Sequence, residues 1–181
     1  MDAIHVRGGN RLFGETKIQG SKNAVLPILA AALLIEDVCV IENCPRISDV
    51  HHMLMLLEEI GCKVKRSDKA VTIDARYLSK DTMSGENVTG MRSSIMLLGA
   101  MLGRVGEVTM AYPGGCVIGE RPIDLHLSAL RKMGVRIYEK EGFFTAKAVK
   151  LEGSVIRLSI SSVGVTENVL LAAVRAAGVT V

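Results

Sequence analysis

The sequence has few aromatic residues, no tryptophan and no run of like charges. Its 181 residues include three Tyr and three Phe, which offer little surface for stacking single-stranded bases. The 22 basic residues nearly balance the 19 acidic ones, and five like charges never stand in succession. These features argue against a nucleic-acid-binding protein.

Long apolar runs are also missing. The longest, from Ala24 to Ile35, has 12 residues, whereas a membrane-spanning helix needs about 20. The N-terminal residues MDAIHVRGG lack the basic-then-apolar pattern of a signal peptide. We therefore expect a cytoplasmic protein with no membrane partner.

Cysteine is scarce as well, with four residues in the chain. Cys39, Cys44 and Cys62 form no CxxC pair and have no histidine at ligand spacing, so neither a metal site nor a disulfide framework is expected. We expect these three to be buried, inert thiols. Cys116 differs, because it lies in a glycine-rich loop where a thiol is more exposed.

Hydrophobic spacing and turn residues predict one order of elements that occurs twice and begins a third time. The first unit is predicted as a helix over 23–35, a strand over 38–41, a helix over 48–60 and strands over 62–66 and 70–74. The second is predicted as a helix over 91–103, a strand over 107–110, a helix over 122–133 and strands over 134–139 and 143–148. A third is predicted as a strand over 154–160, a helix over 167–177 and a strand over 178–181, and two further strands are predicted over 4–7 and 12–18.

Sequence matches support the repeat. Leu57–Gly61 matches Leu130–Gly134 at an offset of 73 residues, and Gly106–Met110 matches the segment that begins at Gly178. The third unit ends within the strand that follows its first helix, so the loop, second helix and final strand pair of this unit are expected to be absent. A partial unit leaves an apolar sheet edge and helix face uncovered, which favours association.

Candidate binding residues recur before one helix of each unit. Lys22 and Asn23 stand at a predicted helix start, Arg92 at the next, and Ser162, Val163 and Gly164 before the third. Helix N-termini attract phosphate and carboxylate groups. Each of these candidates, considered alone, also has a simpler interpretation as an ordinary helix cap, a solvated lysine or a lone surface arginine.

A glycine-rich loop, PGGCVIGERP, is the other candidate site. Cys116 lies within it, and Arg121 directly precedes a predicted helix start, where a guanidinium is well placed to bind an anion. The alternative is a flexible connection with an incidental thiol. His126 follows in the helix and is expected to be a partly buried structural residue, while His51 and His52 are expected at the surface.

Five segments in this order closely resemble the UDP-N-acetylglucosamine enolpyruvyl transferase family: GSKNAVLPILAAALL, NCPRISDV, MRSSIMLLGAML, PGGCVIGERPIDLHL and SSVGVTEN. The resemblance spans essentially the whole chain, whereas family members are more than twice as long. It implies an α/β fold, an inside-out α/β barrel built from repeated βαβαββ units and incomplete here. It also implies two parts: residues 1–21 as strands that pack with a second domain, and residues 22–181 as a first domain truncated in its third repeat.

The resemblance also implies residue roles. Lys22 and Asn23 resemble the pair that contacts phosphoenolpyruvate. Cys116 resembles the thiol that is the general acid at the methylene carbon, forms a covalent adduct with phosphoenolpyruvate and is alkylated by fosfomycin. The implied substrate-binding residues further include Arg92, Arg121, Pro122, Ile123, Asp124, Leu125, Ser162, Val163 and Gly164. Some members carry lysine where Ile160 stands here, so the contact made by that lysine is not expected.

The implied reaction transfers the enolpyruvyl group of phosphoenolpyruvate to the 3-hydroxyl of UDP-N-acetylglucosamine, without metal or cofactor. This is the first committed step of peptidoglycan synthesis and thus serves cell-wall biogenesis, cell shape and cell division. The family's aspartate base and several arginines lie beyond this chain, so we expect poor turnover. We also expect the chain to associate either with a missing C-terminal part or with itself. Alternatives are a non-catalytic UDP-sugar-binding fragment, a shikimate-pathway enolpyruvyl transferase and, disfavoured by charge, an RNA-terminal phosphate cyclase.

Overall fold

A computed structural model describes residues 3–68, 70–114 and 123–181. The helices are α1 (Lys22–Ala31), α2 (Ser48–Glu59), α3 (Glu86–Thr89), α4 (Met96–Val105), α5 (Asp124–Lys132) and α6 (Val163–Ala173), with 3-10 turns at Ala32–Leu34 and Arg92–Ile95. The strands are β1 (Val38–Glu42), β2 (Lys63–Arg66), β3 (Ala70–Asp74), β4 (Thr82–Met83), β5 (Glu107–Ala111), β6 (Arg136–Lys140) and β7 (Phe143–Lys147).

The two sheets repeat one arrangement. Strands β1, β3 and β2 form an antiparallel sheet in that order, and β5, β7 and β6 follow the same order in the second sheet. The second sheet adds β4, which pairs in parallel with β5. Gly106 and Gly178, predicted as counterparts, both adopt left-handed backbone angles, with φ of 79° and 89°. The predicted duplication is therefore confirmed.

Helix α4 lies at the centre of the helices. Every residue from Met96 to Leu102 is buried, as expected for a segment that is apolar on all sides. The helix packs against α1 and α6, and its other contacts include β5 and β7. Alternating residues of the strands, such as Val108 and Met110 of β5, complete the same core.

Helices α1, α4 and α6 run in the same direction. At their C-terminal ends, a Cβ added at Gly103 of α4 would lie 3.2 Å from Leu34 Cδ2 and 3.4 Å from Arg175 Cβ. Glu36 joins these ends, because its Oε1 forms ion pairs with Arg104 Nη1 at 2.6 Å and with Arg175 Nη2 at 2.9 Å. Since the C-termini meet and the helices pack side by side, their N-termini also lie at one end.

Several predicted elements are wrong. Residues 3–20 form no strand, so the strands predicted at 4–7 and 12–18 are absent, and Leu12 and Phe13 are almost fully exposed. A strand that finds no neighbouring strand cannot satisfy its backbone hydrogen bonds. The short elements β4 and α3 were not predicted. Pro27 lies in the sixth position of α1, and the helix continues through it.

The third unit differs from its prediction but retains a parallel pairing. No regular strand forms at 154–160 or 178–181. Instead, Ala177 N–H donates to the Leu151 carbonyl at 2.8 Å, and Ile156 N–H donates to the Val181 carbonyl at 2.7 Å. These contacts place the two segments side by side, in the same arrangement as β4 and β5. The described residues close no barrel, in keeping with the incomplete fold that was predicted.

Within the part of the chain that the structure describes, no helix is both long and apolar enough to cross a membrane.

Candidate functional site

The start of α1 carries the first predicted binding pair. Lys22 and Asn23 are the first two helical residues, and both are exposed. The Ser21 side chain makes no capping hydrogen bond, although its carbonyl accepts the Val25 N–H at 3.0 Å. Lys22 Nζ lies 3.1 Å from Asp49 Oδ2 of α2. An anion bound at this helix end would therefore compete with Asp49 for the Lys22 ammonium.

The start of the central helix carries the second predicted residue. Arg92 opens the 3-10 turn that leads into α4, and it is half-buried. Its positive charge acts on His126 of α5 and contributes to lowering the pKa of that imidazole. Arg92 and the α5 histidine are therefore close enough to interact electrostatically.

The start of α6 carries the third predicted set. Helix α6 begins at Val163 rather than at the predicted residue 167, so Val163 and Gly164 are helical. Ser162 is the N-cap, and its Oγ accepts the Val165 N–H at 3.4 Å. The N–H groups of a first helical turn have no intrahelical partner and can bind an anion. A surface depression adjoins this turn and is lined by Leu158, Ser161, Ser162, Val163, Thr166 and Glu167.

A buried hydrogen-bond chain lies directly behind the start of α6. The Gly99 N–H donates to Asn168 Oδ1 at 2.7 Å, and Asn168 Nδ2 lies 3.1 Å from His126 Nδ1. Burial, followed by the charge of Arg92, lowers the pKa of His126 to about 4. The prediction of a structural histidine is confirmed, and the ring is neutral at physiological pH.

Asn168 is the site-adjacent residue that the sequence prediction missed. It lies in the apolar segment ENVLLAAV and is fully buried. A single polar residue within an apolar helix face was the available signal, because a buried amide requires hydrogen-bond partners. Its partners lie 42 and 69 residues away, so no local sequence pattern identifies them.

The start of α5 positions three more predicted residues. Ile123 precedes the helix and is buried, Asp124 is its first residue and is exposed, and Leu125 is half-buried. Helix α5 packs on α6, which brings this segment to the same region as the α6 start. Cys116, Arg121 and Pro122 lie outside the described residues, so their predicted roles stay predictions.

The other three cysteines follow the expectation in part. Cys62 is buried, and burial raises the pKa of its thiol to about 12. Cys39 and Cys44 are only half-buried. Among the described residues, no group of three or more His, Cys, Asp or Glu side chains is placed to hold a metal ion.

Helix α6 also presents an apolar face to solvent. Val163, Leu170 and Val174 are between 60% and 75% exposed. A groove of about 250 Å³ between α1 and α6 is lined by Pro27, Ile28, Ala31, Leu34, Glu167, Leu170, Leu171 and Val174. Exposed apolar surface of this kind is typical of an interface.

Comparison with known proteins gives a consistent family relationship. A family model described as EPSP synthase (3-phosphoshikimate 1-carboxyvinyltransferase) matches residues 6–181. UDP-N-acetylglucosamine 1-carboxyvinyltransferase 2 of Caldanaerobacter subterraneus subsp. tengcongensis is 48% identical to this chain over 181 residues. UDP-N-acetylglucosamine 1-carboxyvinyltransferase of Dichelobacter nodosus is 42% identical over 182 residues. Each match covers 100% of this chain and 43% of the relative, so the chain spans less than half the length of these relatives.

Two solved structures share the fold. The enolpyruvyl transferase NikO from Streptomyces tendae superimposes with a TM-score of 0.80 at 22% identity, over 96% of this chain and 41% of that chain. EPSP synthase from Acinetobacter baumannii superimposes with a TM-score of 0.68 at 20% identity, over 91% of this chain and 39% of that chain. The predicted enolpyruvyl transferase fold is thereby confirmed.

Proposed function

Because the chain belongs to the EPSP synthase (3-phosphoshikimate 1-carboxyvinyltransferase) family, we propose that it forms part of an enzyme transferring the enolpyruvyl group of phosphoenolpyruvate to UDP-N-acetylglucosamine. The names of the relatives at 42% and 48% identity favour the sugar nucleotide over shikimate 3-phosphate as acceptor. On this proposal the protein acts in peptidoglycan synthesis in the cytoplasm, and its Cys116 is the fosfomycin target.

One observation carries the proposal: the three repeat helices α1, α4 and α6 direct their N-termini to one end. Lys22, Arg92 and the start of α6 therefore belong to one end of the molecule, although the chain separates them by about 70 residues each time. Two substrates that both carry phosphate need several cationic or N–H donors on one surface. Parallel packing of repeated helices supplies that surface.

The residues divide between the two substrates. Lys22 and Asn23, at the start of α1, bind phosphoenolpyruvate together with Arg121. Arg92, the segment from Arg121 to Leu125, and Ser162 to Gly164 bind the sugar nucleotide. In this division the ammonium of Lys22 exchanges its contact with Asp49 for the phosphate of phosphoenolpyruvate. The exchange costs little, because more than half of the Lys22 side chain is exposed and solvent-exposed ion pairs contribute little to stability.

The reaction is an addition followed by an elimination. The sugar 3-hydroxyl oxygen bonds to the central carbon of phosphoenolpyruvate while Cys116 protonates the methylene carbon. The carbon–oxygen bond to phosphate then breaks while the Cys116 thiolate takes a proton back from the new methyl group, which produces the enol ether and free phosphate and restores the thiol. A base outside this chain accepts the hydroxyl proton, so the chain alone has little turnover.

Calorimetry tests the binding part of this proposal. Titration of the 181-residue chain with UDP-N-acetylglucosamine is expected to produce binding heat, and titration with shikimate 3-phosphate is not. Arg92→Gln is expected to weaken binding about tenfold or more, since a hydrogen bond to a charged group contributes about 1.5–3 kcal/mol. Arg136→Gln, which alters an exposed arginine on β6, is the matched control. Preferential binding of shikimate 3-phosphate contradicts the proposed acceptor.

Phosphate release tests the catalytic part. With both substrates present, the chain alone is expected to release phosphate far more slowly than a full-length relative. Turnover near that of the full-length enzyme contradicts the claim that the base lies outside this chain.

A further inference from the structure

One carboxylate oxygen joins the three repeat units. Glu36 follows the 3-10 turn that extends α1, whereas Arg104 lies in the last turn of α4 and Arg175 comes just after α6. Glu36 Oε1 lies 2.6 Å from Arg104 Nη1 and 2.9 Å from Arg175 Nη2. We call these three residues the carboxylate junction. It holds the second and third units to the first at the C-terminal ends of the helices.

Both arginines of the junction also bind backbone carbonyls of the first unit. Arg104 Nη2 donates to the Ala75 and Arg76 carbonyls, each at 3.2 Å, and the Arg104 side chain is only 11% exposed. Arg175 Nη2 donates to the Leu34 carbonyl at 2.9 Å. A guanidinium is planar and presents its N–H groups in fixed directions, so such contacts set geometry as well as attraction. The junction therefore fixes the relative position of the three units at this end.

The remaining contacts of α1 constrain its axial position less. Apart from Glu167, the side chains that line the groove between α1 and α6 are apolar, and α1 meets α4 through apolar residues of the core. Apolar packing has no preferred direction, so it resists sliding along the helix axis only weakly. Helices α4 and α6, by contrast, also share the Gly99–Asn168 hydrogen bond at 2.7 Å. The axial position of α1 therefore depends most on the junction.

Helix α1 carries a displacement from the junction to its other end. The ten residues of α1 and the three of its 3-10 extension together span about 20 Å. Since the backbone hydrogen bonds fix this length, an axial shift at Leu34 moves Lys22 and Asn23 by the same amount. A misplacement of about 1 Å is enough to impair a binding or catalytic group.

We propose that Glu36 is a positioning residue for the substrate end of the molecule, because it holds α1 at the axial position where Lys22 and Asn23 align with the starts of α4 and α6. On the proposed function Lys22 and Asn23 bind phosphoenolpyruvate, and the positioning role rests on that assignment. Helices α4 and α6 keep their own hydrogen bond when Glu36 is lost. Binding of phosphoenolpyruvate is therefore impaired, whereas binding of the sugar nucleotide is retained.

Amide NMR spectra of the chain without substrate test the positioning role. In Glu36→Ala the ¹H–¹⁵N resonances of Lys22 and Asn23 are expected to shift, although they lie about 20 Å from the substitution, and those of Val163 and Gly164 are expected to stay in place. Glu36→Gln keeps an oxygen acceptor at the same position and is expected to show smaller shifts. Unchanged Lys22 and Asn23 resonances in folded Glu36→Ala, or equal shifts at the starts of α1 and α6, overturn the proposal.

Calorimetry connects the positioning role with binding. Glu36→Ala is expected to weaken the binding of phosphoenolpyruvate about tenfold and to leave the affinity for UDP-N-acetylglucosamine unchanged, with Glu36→Gln retaining most of both. Glu141→Gln, which alters an exposed carboxylate between β6 and β7, is the matched control. Equal losses of affinity for both ligands, as a general loss of structure would produce, contradict the proposal.

The two experiments separate this inference from the proposed function. Shifted Lys22 and Asn23 resonances, with neither substrate bound by the parent chain, support the positioning role and contradict the proposed function. Binding of both substrates that is unaffected in Glu36→Ala supports the function and overturns the positioning role. If the parent chain binds only one substrate, the amide shifts decide.

A second variant covers the case in which Glu36→Ala does not fold, as thermal denaturation shows. Arg175→Met removes the more exposed arginine of the junction, whose side chain is 40% exposed, and leaves the buried contacts of Arg104 in place. It is expected to shift the same resonances of Lys22 and Asn23 by a smaller amount. Unchanged resonances in Arg175→Met then overturn the proposal.

Discussion

Gly99 of α4 and Asn168 of α6 are in direct contact. The Gly99 N–H donates to Asn168 Oδ1 at 2.7 Å, and a Cβ at position 99 would overlap both the side-chain and backbone oxygens of Asn168. The contact joins the second and third repeat units, and it holds the amide that orients His126. The packing of two helices and the orientation of His126 therefore depend on the same glycine.

The substitution Gly99→Ala is expected to destabilise the protein by about 1–3 kcal/mol, because the helices must separate to accommodate the methyl group. Gly103→Ala on the same helix is the matched control: its Cβ would meet the flexible Leu34 side chain at 3.2 Å, and alanine is the better helix former. Urea denaturation measures both. Equal stability of Gly99→Ala and the parent chain contradicts the expectation.

Acid is expected to destabilise the fold through His126. Its pKa falls from 6.5 in the unfolded chain to about 4 in the folded chain, so the unfolded chain binds more protons between these values. The free energy of unfolding is therefore expected to decrease by about 2 kcal/mol from pH 7.5 to pH 5. The Asp74 carboxyl does not titrate in this pH range, because its hydrogen bond with Arg76 lowers its pKa to about 2.

The control for the acid effect is His126→Gln, which removes the titrating ring. Its stability is expected to change less over the same pH range, as measured by urea denaturation at each pH. A parallel pH dependence of the variant and the parent chain shows that another group is responsible.

The thiols are expected to differ in reactivity. Burial raises the pKa of Cys62 to about 12, which leaves almost no thiolate at pH 8. Cys116 is predicted from the sequence to be favoured as thiolate by Lys22, Arg92 and Arg121, and it should be alkylated first. Mass spectrometry of iodoacetamide labelling against pH checks this order, with Cys116→Ser as the comparison. Identical labelling of all four thiols contradicts it.

The apolar groove between α1 and α6 is expected to promote self-association of the chain. Leu170 is 60% exposed in this groove, so Leu170→Lys should shift the sedimentation coefficient toward that of a monomer. Val149→Lys is the matched control, because Val149 is fully exposed outside the groove. A parent chain that is monomeric at all concentrations contradicts the expectation.

Local patterns were enough to predict most helices and strands. Helix α2 and strands β1, β3 and β5 lie within one residue of their predicted bounds, and α1 begins one residue earlier and ends four residues earlier than predicted. Local prediction works here because hydrophobic period and terminal residues act over a few neighbours. The duplication was also visible, since Gly61 and Gly134 stand at matching positions. Arg92 and Gly164 were each identified from the sequence as candidate binding residues. His126 was identified as a structural residue.

Tertiary structure decided which of these residues meet. Strands at 4–7 and 12–18 require a neighbouring strand, and no local signal shows that residues 3–20 find none in this chain. The contact of Gly99, Asn168 and His126 joins three helices from distant parts of the sequence. By itself the sequence determined the helices and the polar residues at their starts. Only the parallel packing of α1, α4 and α6 brought those starts to one end, because the direction of packed helices depends on side-chain contacts between them and not on the pattern within each.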